Sequence, residues 1–373
     1  MRAAPEPLTE SDFHFEDSRM TTLFDPIRIG ALSLKNRIVM APLTRQRSGV
    51  ERVPGPLVAQ YYVQRASAGL IVSEATSVTP LGVGYADTPG IWSDEQVEGW
   101  KLTTEAVHKA GGLILLQLWH VGRISDPSFL DGAPPVAPSA IAANGNVSLL
   151  RPARPYPVPR ALSLDEIKDV VEAYRKGAEN AKRAGFDGVE LHGANGYLLD
   201  QFLQDKSNRR TDEYGGPIEN RARLMIEAVD AAISVFGADR VGLHLAPRGD
   251  AHDMGDSDLA ATFGYVARAM RDRGLAFLMA RERVAPDSIG PQLKAAFGGP
   301  YIVNEGFDLA SAKAALASGE ADAVAFGKLF ISNPDLPARL KSGAPLNPWT
   351  AETFYSPGPE GYVDYPALEL SDA

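Results

Sequence analysis

The chain reads as an α/β protein, a (β/α)8 TIM barrel carrying an excursion after its third strand. Three observations predict this fold. Eight short apolar runs recur along the 373 residues, helical patterns separate them, and the runs are continuous rather than alternating. Continuous runs suit parallel strands covered on both faces, and regular strand–helix alternation with eight strands suits a closed parallel sheet. A hydrophobic content of 45% supplies the large core that such a barrel needs.

The runs are Arg37–Pro42, Gly69–Thr76, Gly112–Trp119, Gly188–Ala194, Val241–Pro247, Ala276–Ala280, Tyr301–Gly306 and Ala323–Lys328. The clearest helix lies over Ser163–Gly185. Ser163 can cap it, and Glu166 three residues later completes a capping box. Val170, Val171, Tyr174, Ala178 and Ala181 form an apolar stripe at helical spacing, and Gly185 closes the helix. Ile218–Gly237 and Asp308–Asp322 repeat the pattern. The proline-rich segment His120–Leu162 breaks the rhythm and predicts a hairpin or lid over the barrel mouth rather than a second domain. Residues 1–20 read as a loose extension ahead of a single barrel domain over 21–373, and Met20 is a second candidate start.

Composition excludes several classes. Thirty-seven Lys and Arg against 47 Asp and Glu give a net charge of −10, which disfavours nucleic acid and anionic membranes as partners. The absence of cysteine removes disulfides, thiolate metal sites, cysteine nucleophiles and iron–sulfur clusters. The first residues lack the apolar core of a signal peptide, and no later run is long enough to span a membrane, so a cytoplasmic location is expected. A monomer is the expected state, with a dimer as the alternative.

In such barrels chemistry sits at the C-terminal strand ends. Reading past each run yields Pro42, Leu43 and Thr44; Ala75 and Thr76; Gln117, Trp119 and His120; His192, Asn195 and Tyr197; His244; Asn304 and Gly306; and Gly327 and Lys328. The glycines and Lys328 after the last two strands suit a phosphate site, or are ordinary turn glycines. Thr44, Gln117 and His244 can hold a flat polar heterocycle such as a flavin, or satisfy loop backbone. His192 and Asn195 are two donors for one oxygen, an oxyanion-type pair. Tyr197, an acid of pKa about 10, suits protonation of a basic carbanion or enolate. No carboxylate accompanies His192 as a zinc site would require, so no metal is expected.

The stretch HGANGYLLDQFLQDKSNRRTDEYGGPIENRARLMIEAV resembles the Old Yellow Enzyme family of FMN-dependent ene-reductases, near its N-ethylmaleimide-reductase branch. The segments LFDPIRIGALSLKNRIVMAPLTRQRS, QLWHVGR, VAFGKLFISNPDL and TFYSPGPEGYVDYPAL agree, so the resemblance covers roughly Leu23 to Leu368. It implies a non-covalent FMN reduced by NADPH or NADH, and small electrophilic alkenes as substrates. His192 and Asn195 would grip the carbonyl oxygen, flavin N5 would deliver hydride to the β-carbon, and Tyr197 would protonate the α-carbon. By the same resemblance Pro42, Leu43, Thr44, Ala75, Gln117 and His244 contact the flavin ring. Asn304, Gly306, Gly327 and Lys328 hold its phosphate. Tyr85, Trp119 and Tyr355 shape the substrate pocket.

Two positions depart from the family. His244 stands where an arginine is usual, and a histidine carries charge only when protonated. Lys328 replaces a second arginine and loses its bidentate geometry. His244 implies a lower flavin potential or weaker FMN retention, and Lys328 modestly looser FMN binding. Among rivals, a dienoyl-CoA-reductase type needs cysteines and further domains, and the branch with a cysteine near the flavin is excluded by Thr44. A lyase or aldolase barrel would want a Schiff-base lysine or metal carboxylates at strand ends. Reduction of nitrate esters or nitro compounds on the same scaffold, and a flavin-binding barrel with impaired catalysis, are the remaining alternatives.

Overall fold

The computed structural model describes residues 21–249 and 251–368; the extension expected over 1–20 lies outside the described residues. Each predicted run forms a barrel strand: β1 Ile38–Met40, β2 Leu70–Val72, β3 Ile114–Trp119, β4 Gly188–Gly193, β5 Val241–Leu245, β6 Phe277–Arg281, β7 Tyr301–Asn304 and β8 Ala323–Phe326. All neighbours pair in parallel, and β8 returns to β1 with Val324 opposite Ile38, so the sheet closes. The second predicted run is shortened, because its chain leaves the sheet after Val72 and pairs with β3 again only at Thr76–Ser77. The sixth runs one residue further than predicted, to Arg281.

Helices α1 Pro56–Val63, α2 Asp94–Lys109, α3 Leu164–Arg183, α4 Arg223–Phe236, α5 Leu259–Asp272, α6 Gly290–Phe297, α7 Leu309–Ala317 and α8 Leu336–Ser342 surround the strands. The capping box of α3 forms as predicted: Ser163 Oγ accepts the Glu166 N–H (3.3 Å), and Glu166 Oε2 accepts the Ser163 N–H (2.8 Å). The helical stretch predicted from Ile218 comes as two pieces, Ile218–Arg221 and α4. Helix α7 stops at Ala317, where Gly319 turns left-handed with φ +76°.

Side chains alternate across each strand. Val189 and Leu191 of β4 join the shell packed under the helices. Val39, Leu70, Leu115, Phe277, Ile302 and Ala323 point inward and fill the lumen with a hairpin formed by Ile27–Ile29 and Leu32–Leu34. Polar residues enter this inward set only towards the C-terminal ends: Gln117, Glu190, His192, His244, Arg281 and Asn304. The apolar layers therefore form a floor and the polar layer a mouth.

The insertion 120–162 carries a two-residue parallel pairing, Val136–Ala137 with Arg160–Ala161. Within it, the Val147 N–H donates to the Arg154 carbonyl (2.9 Å) and the Tyr156 N–H to the Gly145 carbonyl (3.3 Å), an antiparallel return. Ala143, Val147 and Tyr156 pack with Ala75, Tyr85 and Trp119.

Packing of the floor is tight at Gly242 of β5, where an added Cβ would lie 2.1 Å from Phe277 Cζ. Gly242→Ala should lower the unfolding free energy by about 1–3 kcal/mol, read from the urea midpoint. An unchanged midpoint would mean that the ring moves aside freely.

Candidate active site

β3, β4 and β5 build the centre of the mouth. Their register sets Gln117 opposite Glu190, and His192 opposite His244. Gln117 Nε2 donates to Glu190 Oε2 (2.8 Å) and lies 3.2 Å from His244 Nδ1. An amide N–H only donates, so Nδ1 of His244 accepts and its proton sits on Nε2. The His192 and His244 rings stack with centroids 5.6 Å apart. Burial holds both imidazoles neutral: His244 falls to about 3, and His192 drops well below its ordinary value, helped by His244 and Arg281.

The loop after β4 carries the other two members of the cluster. Asn195 takes a left-handed φ of +58°, which asparagine tolerates. Gly196 follows at φ +75°, where a Cβ would meet Met254 Cγ at 2.7 Å. Asp200 Oδ2 accepts the Gly196 N–H (2.8 Å), and the Leu198 N–H reaches the His120 carbonyl (3.0 Å). These contacts set the Tyr197 ring against Trp119 (5.0 Å) and His192 (4.9 Å), with its hydroxyl 2.9 Å from that of Tyr85. Burial first, and the neighbouring Tyr85 second, push the Tyr197 phenol well above its ordinary range. His120 serves its own turn, accepting the Gly122 N–H at 3.1 Å.

Other residues singled out in the sequence surround this centre. Pro42, Leu43 and Thr44 are half-buried on the loop after β1, and no hydrogen bond among the described residues joins Thr44 to Gln117 or His244. Ala75 is buried with Tyr85 and Trp119. Asn304 Nδ2 donates to the Ala325 carbonyl (2.8 Å). Gly306 is exposed at φ +80° with open space around it, and Gly327 lets the backbone pass where a Cβ would touch Leu43 Cδ2 at 3.3 Å. Lys328 is exposed, its ammonium 5.9 Å from the Trp349 ring, with no ion pair among the described residues.

Tyr355 arrives from far along the chain. Arg45 donates to the carbonyls of Phe354 (3.1 Å) and Gly361 (2.8 Å), and Arg47 to those of Thr353 (2.9 Å) and Gly358 (3.2 Å). Both guanidiniums also lie over the Tyr362 ring. This clamp brings Tyr355 near enough to Tyr197 and Tyr85 to affect both phenols.

Three residues of the mouth escape the strand-end reading. Glu190 lies inside its strand. Arg281 is the next inward position after Phe277 and Met279, so the period of two on β6 was the available signal. It donates to Asn195 Oδ1 at 2.8 Å. His252 Nδ1 lies 2.6 Å from the Asn195 carbonyl, and no local pattern in its loop announces this.

The architecture fits a flavin. His192 Nδ1, His244 Nε2 and Trp119 Nε1 are buried polar atoms without a partner among the described residues, on three rings stacked in the order Trp119, His192, His244. After β7 and β8, Gly306 and Gly327 expose backbone with no side chain of their own over it, and Lys328 forms no ion pair among the described residues. A sequence model for the NADH:flavin oxidoreductase / NADH oxidase family matches residues 22–347, and the chain belongs to that family. It is 42% identical to 12-oxophytodienoate reductase 1 of Oryza sativa subsp. japonica, over 94% of each chain. It is 43% identical to a probable flavin mononucleotide-dependent alkene reductase of Leishmania infantum, covering 93% of this chain and 97% of the relative. The Old Yellow Enzyme homologue from Zymomonas mobilis superposes with a TM-score of 0.91 at 46% identity, covering 93% of this chain and all of that one. Morphinone reductase in complex with tetrahydroNAD superposes at 0.90 with 49% identity, covering 94% and 98%.

Burial raises the Glu190 carboxyl from 4.5 to about 8, partly offset by the Gln117 hydrogen bond. Between those values the folded chain keeps a proton that the unfolded chain has lost. The resulting stability is full below the unfolded value and is lost as pH rises through the folded one. The melting temperature of Glu190→Gln should therefore fall less than that of the parent between about pH 6 and about pH 8. Parallel profiles would show that Glu190 is already ionised in the folded chain.

Proposed function

We propose that the chain is an FMN-dependent ene-reductase that uses NAD(P)H to saturate the activated C=C bond of α,β-unsaturated carbonyls such as enones, enals and maleimides. The observation that supports this reading is the His192 ring, with its buried and unpartnered Nδ1, lying 4.9 Å from the Tyr197 ring, with Asn195 two residues before Tyr197 on the same loop. When bound, FMN would supply the two-electron redox chemistry that couples oxidation of NAD(P)H to reduction of the alkene. Gln117, His244, Thr44, Ala75 and the Pro42–Leu43 backbone would hold its ring, and Asn304, Gly306, Gly327 and Lys328 its phosphate.

The protein's own residues do the rest. A neutral imidazole and an amide can each donate one hydrogen bond to the carbonyl oxygen of the substrate. Fixed donors aimed at an oxygen that gains negative charge stabilise the enolate-like transition state. Tyr197 holds its proton at neutral pH as any phenol of pKa about 10 does, and burial disfavours the phenolate further. It can therefore deliver that proton to the α-carbon, and Tyr85, 2.9 Å away, can donate to the oxygen left behind. Trp119, Tyr85 and Tyr355 give the pocket flat walls, and the packed insertion limits water. A cytoplasmic, monomeric enzyme completes the proposal; no helix of the described residues is long and apolar enough to cross a membrane.

The purified protein should be yellow, bleach anaerobically with NADPH and regain colour with 2-cyclohexenone; a colourless protein that ignores added FMN sinks the reading. Tyr197→Phe should lower enone turnover by about 10²–10⁴-fold while NADPH still reduces the flavin at a rate close to that of the parent. Full turnover in that variant would mean that another acid supplies the proton. His244→Arg places a fixed charge where burial now keeps the ring neutral, and should raise the flavin potential and tighten FMN binding. If a spectroelectrochemical titration and an FMN dissociation constant are both unchanged, position 244 does not tune the flavin.

A further inference from the structure

We propose that Arg281 is a positioning residue for the substrate carbonyl, acting through Asn195; the assignment rests on the ene-reductase reading. Arg281 ends β6 in register with Asn304 of β7, and its side chain is 37% exposed at the mouth. Its Nη1 donates to Asn195 Oδ1 (2.8 Å), and its Nη2 to Glu305 Oε1 (3.1 Å). A guanidinium has donors and no acceptor, so the amide of Asn195 must turn its oxygen towards Arg281. Its NH2 group then points the other way. The backbone carbonyl of Asn195 is occupied separately by His252 Nδ1 (2.6 Å). Neither contact uses the Nδ2 hydrogens, which stay free for a ligand oxygen.

This arrangement answers a problem that an isolated asparagine would pose. The amide can rotate by half a turn about its last torsion, and the rotated form would present a lone pair to the carbonyl oxygen it should bind. Arg281 removes that form, because rotation would set an NH2 group against the guanidinium. Glu305 holds Arg281 in turn. Both partners of the arginine have left-handed backbones, φ +58° at Asn195 and +87° at Glu305. Such conformations in residues other than glycine concentrate where the surroundings over-determine a functional geometry.

The test is a double-mutant cycle on flavin-loaded protein, with cyclohexanone, a saturated ketone, as the binding probe and the flavin spectrum as readout. Asn195→Gly suits the left-handed backbone and removes the amide. Arg281→Ala and Asn195→Gly should each weaken ketone binding by about tenfold, and the double variant should bind no more weakly than Asn195→Gly alone. Arg281→Lys, which keeps a donor, should recover part of the loss, and Glu305→Gln should give a smaller loss than Arg281→Ala. Melting temperatures of all variants identify any that fail to fold, in which case the Lys and Gln variants carry the comparison. Additive losses, or undiminished binding in Arg281→Ala, would overturn the assignment while leaving the ene-reductase reading intact. A parent protein that binds flavin but no ketone would overturn both.

Discussion

Closure of the parallel sheet is the constraint from which the site follows. Once β8 pairs with β1 and β2 with β3, every second side chain on eight strands has to lie inside a narrow tube. The lower part is filled by Val39, Leu70, Leu115, Phe277 and Ile302 over the antiparallel hairpin. No room remains there for a ligand. Polar chemistry is confined to the inward positions above that layer, from Gln117 and Glu190 midway along their strands to the strand ends, and neighbouring strands deliver those positions side by side.

The same closure explains the electrostatics. Glu190, His192 and His244 are nearly sealed from solvent, so each is pressed towards its neutral form. The mouth is thus lined by uncharged donors and an uncharged acid, with charge admitted at its rim through Arg281 and Lys328. An uncharged donor pair gains most when the bound oxygen becomes negative, which is the differential binding that catalysis requires.

Much of this was legible in the sequence. Continuous apolar runs marked all eight strands because both faces of each are covered, and the capping box marked the start of α3. The cluster His192, Asn195 and Tyr197 was visible because its members are close in the chain. Arg281 and His252 were not, because they reach Asn195 only through strand register and loop packing, across 86 residues in the case of Arg281, and Glu305 joins the group only through Arg281. Thr44 shows the converse. Its position after β1 grouped it with Gln117 and His244, yet among the described residues only the latter two share a hydrogen bond. Strand-end position identifies candidates, whereas side-chain direction along a strand decides which of them meet.

The clamp of Arg45 and Arg47 on residues 353–361 sets a timetable for the nascent chain. Arg45 and the carbonyl of Phe354 are separated by 309 residues. At ribosomal rates of roughly 5–20 residues per second, the arginines wait about 15–60 s for their partners. For most of that interval β1 also lacks β8, so the tube is open along one seam. The wall that carries Tyr355 therefore takes shape only after all eight barrel strands have been made.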